Sequence, residues 1–225
     1  MSEDWNKRLE PLFVALVADV LDEKGVTKNI LRREIRPLFP QAKVAGPAYT
    51  VRERKLPGFP DSIHDKSNWA EKGVPMLESA KNGHVIIIET GDCVEAATWG
   101  ELMSYSVRGR GVLGAITDGA VRDARQIREI QPPFPVWARG YNPTDSQGRL
   151  EIEEYDNVTV RCGGVTVHPG DIVFADIDGV AIIPKEIAEE VVSASEDRLK
   201  KEEEFRQDIH QGVPISSAAA KYKVL

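Results

Sequence analysis

The sequence predicts an α/β fold, a layered domain built on a mixed central sheet. Apolar runs typical of strands alternate with helix-forming segments in the first half of the chain. In the second half, short β-rich runs follow one another with glycine turns between them, which does not fit a sheet of parallel strands alone. No repeat or Pro-, Gly- or Ser-rich linker divides the 225 residues, so a single domain over residues 1–225 is expected.

The predicted elements of the first half begin with an amphipathic helix over residues 9–24, where apolar residues recur at helical spacing and Gly25 follows as a stop. A β-rich run with a Gly-Pro break predicts a strand at 42–54, and an apolar run led by a turn predicts one at 82–90. Helix-forming residues that end in glycines predict a helix at 100–110, and a strand follows at 111–117.

The second half is predicted to start with a helix at residues 120–127, followed by a strand at 134–140 and a polar loop at 142–149. Further β-rich pieces are expected over 157–184. Residues 185–211 are dense in charge with apolar residues at intervals, which predicts a C-terminal helix that is solvated on one side. We expect this helix to pack on the domain or to act as an oligomer arm.

Composition restricts the classes of function. The formal net charge is -7 and the pI about 5.3, so no general positive field is present to bind nucleic acid. Cys93 and Cys162 are 69 positions apart, which indicates neither a disulfide framework nor a zinc site. No apolar run approaches the roughly 18 residues of a membrane span, and a cytoplasmic protein is expected.

Residues 55–74 form a long connection with two prolines, a histidine and a tryptophan. Connections of this length in compact domains are often functional. Two interpretations remain open: a lid beside a substrate, or a surface loop or oligomer contact.

Familiar nucleotide and nucleophile motifs are absent or misplaced. Residues 109–114 match G-x-G-x-x-G, but a helix is predicted before the motif and a strand after it, the reverse of the order that binds a dinucleotide. No phosphate loop or G-x-S-x-G nucleophile elbow is present, and neither cysteine sits beside a histidine. The four histidines are far apart and none has the spacing of a helical metal pair.

Carboxylates remain as candidates, since several lie near predicted strand ends where hard oxygen ligands gather around Mg²⁺ or Mn²⁺. They are Asp118, Asp123, Asp171, Asp176 and Asp178. Turn chemistry explains most of them equally well, and we favour it for Asp171 and Asp178.

Arg122 and Asp123 are neighbours just after the strand predicted at 111–117. A metal ion on Asp123 would polarise a keto oxygen, and the Arg122 guanidinium has fixed donors to hold that oxygen or an adjacent carboxylate. This combination stabilises an enolate. The alternative is a pair of solvated residues at a helix start.

The stretch GELMSYSVRGRGVLGAITDGAVRDARQI, residues 100–127, resembles the signature block of the RraA-like superfamily. That superfamily holds 4-hydroxy-4-methyl-2-oxoglutarate aldolases, oxaloacetate decarboxylases and regulators of ribonuclease E. The aldolases carry an acidic residue, twenty intervening residues and then Arg-Asp; here Glu101, residues 102–121 and Arg122-Asp123 fit, with Glu in place of the usual Asp. Residues 17–21, 45–51 and 168–184 also resemble family segments.

The resemblance implies a site. Asp123 would ligate Mg²⁺, or Mn²⁺, and Arg122 would bind the keto oxygen of pyruvate and stabilise its enolate. Backbone amides of Gly100, Glu101, Leu102 and Met103 would bind the pyruvate carboxylate, a role that free amides at a helix N-terminus can fill. The Glu101 side chain would hold water of the metal shell and act in proton transfer.

The resemblance also implies a layered αββα sandwich assembled as trimers or pairs of trimers with sites between subunits. A carboxylate from a neighbour's C-terminal helix would contribute, with residues 202–204 as candidates. The implied activity is a metal-dependent class II pyruvate aldolase that cleaves a 4-hydroxy-2-oxo acid and decarboxylates oxaloacetate. The alternative is a non-catalytic regulator that binds a ribonuclease or RNA-decay partner; members with that role can lack the carboxylate after the arginine, which is present here as Asp123.

Overall fold

A computed structural model describes residues 4–61 and 68–224. The helices are α1 Trp5–Leu9, α2 Val14–Glu23, α3 Val74–Ser79, α4 Glu101–Arg108, α5 Ala124–Glu129, α6 Ala188–His210 and α7 Ile215–Tyr222, with a π-helical turn at Trp69–Gly73 and a 3₁₀ turn at Lys185–Ile187. The strands are β1 Arg36–Pro37, β2 Val44–Lys55, β3 Val85–Glu89, β4 Ala97–Trp99, β5 Gly114–Thr117, β6 Ala120–Val121, β7 Val136–Ala138, β8 Gly140–Tyr141, β9 Leu150–Tyr155, β10 Val160–Cys162, β11 Val165–Val167, β12 Ile172–Ala175 and β13 Val180–Ile183.

The main sheet is mixed, as predicted. Its strand order is β1-β7-β5-β3-β2-β12-β13, and β9 also pairs with β2. The four central strands β7, β5, β3 and β2 are parallel, whereas β1, β9, β12 and β13 pair antiparallel. The α/β class is therefore confirmed.

The layers follow from alternation along the strands, because successive side chains point to opposite faces of a sheet. In β13, Val180 and Ile182 join an inner core with Trp137 of β7, whereas Ala181 and Ile183 pack with α1, α2 and α6. The other face of β3, β5 and β7 packs against α3, α4 and α5. Helices thus cover both sides of two facing β layers, which confirms the αββα sandwich.

A second, parallel sheet of three short strands, in the order β4-β6-β8, lies beside the main one. Strand β4 leads directly into α4, and β6 leads directly into Arg122 and Asp123. The backbone N–H of Arg122 donates to the carbonyl of Trp99 at 3.0 Å. This pairing places the Arg-Asp pair at the beginning of α4.

Two predicted helices begin later than expected. The helix predicted at residues 9–24 begins at Val14, as α2; the shorter α1 ends at Leu9, and Pro11, which offers no backbone N–H, lies in the non-helical connection between them. The strand predicted at residues 42–54 is confirmed as β2, which continues through the Gly46-Pro47 break; Gly46 is needed because a Cβ there would lie 2.6 Å from the carbonyl of Gly83. The helix predicted from residue 120 begins at Ala124.

Several strands were missed, of which β9 is the longest. Strand β9 follows the polar loop at 142–149, and its polar and charged residues conceal a strand that pairs with the end of β2. The predicted strand pieces between residues 157 and 184 are confirmed as β10 to β13, and the C-terminal helix as α6. Within the described residues, no helix is both long and apolar enough to cross a membrane.

Candidate functional site

A cleft of about 310 Å³ lies where β4 passes into α4. Its polar side is made by the start of α4 and the Arg122-Asp123 pair, and its rim by residues 145–147 of the polar loop. Trp69, Val74 and Leu77 also line the cleft. The described end of the segment 55–74 therefore contributes to the cleft wall; its residues 62–67 lie outside the described part of the chain, so the lid interpretation stays a prediction.

Asp123 holds a left-handed backbone conformation, with φ 56° and ψ 31°, directly before α5. Aspartate tolerates this conformation better than most residues. The turn directs the side chain back to the start of α4, where its Oδ2 accepts a hydrogen bond of 3.2 Å from the backbone N–H of Glu101. A metal-ligand candidate and a helix N-terminus therefore share one corner of the cleft.

The guanidinium of Arg122 lies between two carboxylates. Its Nη1 is 2.8 Å from Oδ2 of Asp145, and its Nε is 3.7 Å from Oδ2 of Asp123. All three side chains are between 37% and 39% exposed, so solvent or a ligand reaches them. Sequence reasoning missed Asp145, because Asp-Ser-Gln-Gly in a polar loop is typical of a turn, and Asp145 does accept a turn hydrogen bond from the Gln147 N–H at 3.1 Å.

The start of α4 is fixed by a short hydrogen-bond chain. The indole Nε1 of Trp99 donates to Ser104 Oγ at 2.8 Å, and Ser104 Oγ donates to the Gly100 carbonyl at 3.0 Å. The first-turn amides of Leu102 and Met103 have no acceptor within the helix, because the first carbonyl of the helix ladder is used by Ser104. Gly100, Leu102 and Met103 all line the cleft, so the structure brings the predicted anion-binding amides together with Arg122 and Asp123.

Glu101 occupies a different position from the other predicted residues. Its backbone N–H binds Asp123, but its half-buried side chain is not part of the described cleft lining. The predicted role of this side chain in holding water stays a prediction.

Three of the other candidate carboxylates make structural hydrogen bonds outside the cleft lining, and that of Asp171 to His168 fits the turn interpretation. Asp171 accepts from the backbone N–H groups of His168 and Lys185, at 2.8 and 3.1 Å. Asp176 accepts from the N–H of Val14 at the start of α2, at 2.8 Å. Asp118 is buried and accepts from the N–H and hydroxyl of Thr90 at 2.7 and 2.9 Å, and burial raises the pKa of its carboxyl.

The donor set suits an ion that needs few protein ligands. Among the described residues there is no group of three or more His, Cys, Asp or Glu side chains placed to hold a metal. Asp123 and Asp145 offer two hard carboxylates around Arg122 in a half-exposed cleft. Mg²⁺ is commonly held by one or two carboxylates, with water and substrate oxygens completing its shell, so these residues fit such an ion.

A buried acid lies behind the cleft wall. Glu53 of β2 is only 7% exposed, and burial raises the pKa of its carboxyl to about 7, an effect that the nearby Thr98 hydroxyl partly opposes and the charge of Asp118 reinforces. Neither Glu53 Oε2 nor Thr98 Oγ1 has a hydrogen-bond partner among the described residues. Thr98 also lines the cleft.

The layered α/β fold, with free helix-start amides beside an Arg-Asp pair, defines a class of α/β proteins that have a small polar cleft compatible with a metal ion. Residues 14–182 match the RraA-like family, described as Aldolase/RraA, and the chain belongs to this family.

Relatives within this family carry different names. A Halalkalibacterium halodurans protein provisionally named as a 4-hydroxy-4-methyl-2-oxoglutarate aldolase is 31% identical over 211 residues, which cover 93% of this chain and 90% of that protein. Protein DlpA of Legionella pneumophila is 31% identical over 212 residues, covering 92% of this chain. The chain spans only 32% of the length of DlpA.

A solved structure agrees with the fold. Streptomyces coelicolor RraAS2, described as an unusual member of the RNase ES inhibitor RraA protein family, superposes with a TM-score of 0.80 at 28% identity. The alignment covers 92% of this chain and 98% of that protein. The family therefore includes proteins named as an enzyme and proteins named as an inhibitor.

Proposed function

We propose that this protein is a divalent-metal-dependent pyruvate lyase. It would cleave a 4-hydroxy-2-oxo acid to pyruvate and a second carbonyl compound, and decarboxylate oxaloacetate through the same enolate. The observation that carries this proposal is the meeting of Arg122, Asp123 and the first turn of α4 in one cleft. The Halalkalibacterium relative's name supports the same class of reaction.

Substrate binding follows from the position of the free donors. The carboxylate of a 2-oxo acid would accept hydrogen bonds from the amides of Leu102 and Met103, where the helix dipole also favours negative charge. The keto oxygen, on the adjacent carbon, would then lie towards the Arg122 guanidinium. Asp145 holds that guanidinium at 2.8 Å, so the donor is already oriented before substrate arrives.

A divalent ion, Mg²⁺ or Mn²⁺, held by Asp123 with Asp145 nearby, would supply Lewis-acid polarisation of the keto oxygen. In the predicted role of Glu101, its carboxylate would hold water near this ion and pass protons.

Arg122 would act on the charge that develops during bond cleavage. When the C3–C4 bond breaks, its electron pair moves into the C2–C3 bond and the keto oxygen becomes negative. A fixed guanidinium beside that oxygen stabilises the enolate more than the neutral ketone, which lowers the barrier. Oxaloacetate would lose carbon dioxide from the same position and leave the same enolate.

The test compares two arginine variants. Arg122→Ala is expected to lower pyruvate release from a 4-hydroxy-2-oxo acid by about 100- to 1000-fold, as for the loss of one preorganised donor. Arg125→Ala is the matched control, because Arg125 is 85% exposed on α5 and pairs only with Glu129 among the described residues. Unimpaired turnover by Arg122→Ala would count decisively against the proposal.

We further propose a trimer or a pair of trimers with the cleft near a subunit boundary. Leu102 is 78% exposed at the cleft, and Tyr105 on the same helix is 49% exposed, which supports coverage by another surface. Residues 202–204 on α6 stay candidates for a contribution to a neighbour's site. A sedimentation measurement that gives a monomer at micromolar concentration would contradict this assembly.

A second candidate is a regulator that binds a ribonuclease or RNA-decay partner. The similarity to RraAS2 favours it, together with the same exposed face of α4. A stoichiometric RNA-decay partner in a pull-down, combined with no metal-dependent lyase activity, would reverse the order of the two proposals.

A further inference from the structure

A second pocket is lined by the β10–β11 hairpin, the connection from β11 to β12 and the start of the 3₁₀ turn after β13. Its volume is about 690 Å³, which is larger than the cleft and within the range of about 300 to 1,000 Å³ that small-molecule sites have. None of its described lining residues also lines the cleft. The pocket is therefore a separate place where a small molecule can bind.

Three cationic side chains line this pocket, in a protein whose formal net charge is -7. They are Lys28, Arg161 and Lys185. The side chains of Lys28 and Arg161 are exposed and make no ion pair or hydrogen bond with any described residue. Two of the three cations are therefore available to pair with an anionic ligand.

The register of the hairpin places a hydroxyl beside one of these cations. Arg161 of β10 lies directly opposite Thr166 of β11, and both are exposed, whereas the strand residues on either side of each are buried. Because side chains alternate between the faces of a sheet, Arg161 and Thr166 share the outer face of the hairpin. The Cβ atoms of such a directly opposed pair are about 4.5 to 5.5 Å apart, so both side chains can donate to one ligand.

The buried carboxylate of Asp171 fixes another part of the lining. Asp171 is 2% exposed; its Oδ1 accepts from the backbone N–H of Lys185 at 3.1 Å, and its Oδ2 accepts from the backbone N–H of His168 at 2.8 Å. Oδ2 also lies 3.3 Å from His168 Nδ1, which orients the imidazole. The negative charge of Asp171 is thus met by groups of the protein.

The remaining charges of the pocket are on Lys185 and Glu186. The Nζ of Lys185 donates to the carbonyl of Pro169 at 3.2 Å, a neutral partner that leaves the positive charge uncancelled. Glu186 is exposed and adds a carboxylate to the described lining. Because the carboxylate of Asp171 is already hydrogen-bonded, three cations face one exposed carboxylate, and the pocket favours negative charge.

We propose that this pocket binds a small oxyanion with two or more negative charges, through the Arg161 guanidinium and the ammonium groups of Lys28 and Lys185. A guanidinium holds two oxygens of a phosphate or carboxylate group at once, and an ammonium adds a point charge. No step of the proposed lyase reaction uses these residues, so the site goes beyond that function and does not depend on it.

The first experiment is calorimetry with the full chain in a buffer without divalent metal. The probes are pyrophosphate and citrate, with acetate as the singly charged control. We expect a dissociation constant below about 1 mM for at least one multivalent probe and much weaker binding of acetate. The probe that binds more tightly identifies the source of the oxyanion, a phosphate or a polycarboxylic acid. Dissociation constants above about 1 mM for both probes, or equal affinity for acetate, would overturn the proposal.

Arginine variants then locate the bound anion. Arg161→Ala is expected to weaken binding by at least about tenfold, as for the loss of a charge-assisted hydrogen bond, and to unfold like the wild type because Arg161 is exposed. Arg125→Ala is the matched control, since Arg125 is 85% exposed and lies outside both described linings. Unchanged affinity in Arg161→Ala, or loss of binding in Arg122→Ala instead, would place the anion elsewhere and overturn the site.

A glutamate variant tests the sign of the charge effect. Glu186→Gln is expected to tighten binding of the multivalent probe several-fold, because it removes a negative charge from the pocket; a merely structural role of this residue would not strengthen binding. Glu10→Gln is the control, since Glu10 is exposed and lies outside the described lining. Unchanged or weaker binding in Glu186→Gln, or equal tightening in Glu10→Gln, would contradict the proposed site.

Discussion

Gly100 lies directly against the carboxylate of Asp123: a Cβ atom on this glycine would be 2.8 Å from Asp123 Oδ2 and 3.5 Å from Arg122 Cγ. The backbone of Gly100 is extended, with φ -154° and ψ -176°, so any residue would adopt its conformation without strain. Glycine is required here for space, because the Arg-Asp pair approaches the helix start so closely.

Gly100→Ala should therefore displace Asp123 from the amide of Glu101 while leaving the fold intact. We expect at least a tenfold loss of pyruvate release, a size typical of a small misplacement in a catalytic site. Thermal unfolding should show near-native cooperativity. Gly140→Ala is the control, since a Cβ there meets no atom within 4 Å. Full activity in Gly100→Ala would show that the position of Asp123 is not important.

Asp145 is expected to position Arg122 rather than to stabilise the protein. The pair is more than one third exposed, and exposed ion pairs contribute about 0 to 1 kcal/mol to stability. Asp145→Ala should therefore change the melting temperature little but lower kcat by about tenfold through a loosened guanidinium. Ser146→Ala, at the next position of the cleft rim, should leave kcat unchanged. Equal kcat values in the two variants would rule out positioning by Asp145.

Gly73 makes room for Trp69 in the π-helical turn. A Cβ on Gly73 would lie 2.2 Å from the Trp69 ring, so Gly73→Ala must move the indole out of the cleft wall. We expect a changed tryptophan emission maximum and slower pyruvate release from a 4-hydroxy-2-oxo acid. Gly109→Ala is the control, because its nearest contacts would be an ordinary 3.6 Å. An emission spectrum identical to that of the wild type would contradict this packing.

Glu53 predicts a pH dependence of stability. The folded state raises the pKa of this carboxyl from 4.5 to about 7, so its protonated form is favoured in the folded protein. The stabilisation of the folded state by protonated Glu53 is complete below pH 4.5, falls as the pH rises to about 7, and is lost above that pH. The pKa shift corresponds to about 3 kcal/mol of unfolding free energy at most.

Glu53→Gln removes this titration, so its unfolding free energy relative to wild type should increase between pH 5 and pH 8. Denaturant unfolding across this pH range measures the difference. Glu154→Gln, at an exposed position on β9, should follow the wild-type curve. Parallel curves for Glu53→Gln and the wild type would show that the carboxyl of Glu53 ionises normally.

The structural elements and site residues that depend on local sequence patterns were predicted from the sequence. Helix α4 between glycines, strand β5 after it and the spacing from Glu101 to Arg122-Asp123 are all readable along the chain, and the structure brings Gly100, Leu102, Met103, Arg122 and Asp123 to one cleft. The inverted G-x-G-x-x-G is also confirmed, because α4 precedes residues 109–114 and β5 begins at Gly114.

The site residues that the sequence did not predict take their positions from tertiary packing. Asp145 reaches Arg122 only because β6 and β8 pair in the small sheet and the loop after β8 returns to the cleft. Trp69 lines the cleft because of a π-helical turn that no simple periodicity indicates. Glu53 lies near the end of β2, where the charged sequence predicts exposed side chains. The pairing of β2 with β3 and β9 nevertheless buries Glu53.

The most direct test of the central claim is metal-dependent pyruvate release from oxaloacetate, followed by NADH consumption through lactate dehydrogenase. Wild-type protein with Mg²⁺ should release pyruvate well above the rate with free Mg²⁺ alone; EDTA should abolish the excess, and so should Asp123→Ala. Asp178→Ala, which removes a turn carboxylate outside the described cleft lining, should retain it. Release by the wild type no faster than with Mg²⁺ alone, or full activity in Asp123→Ala, would contradict the proposed enolate site.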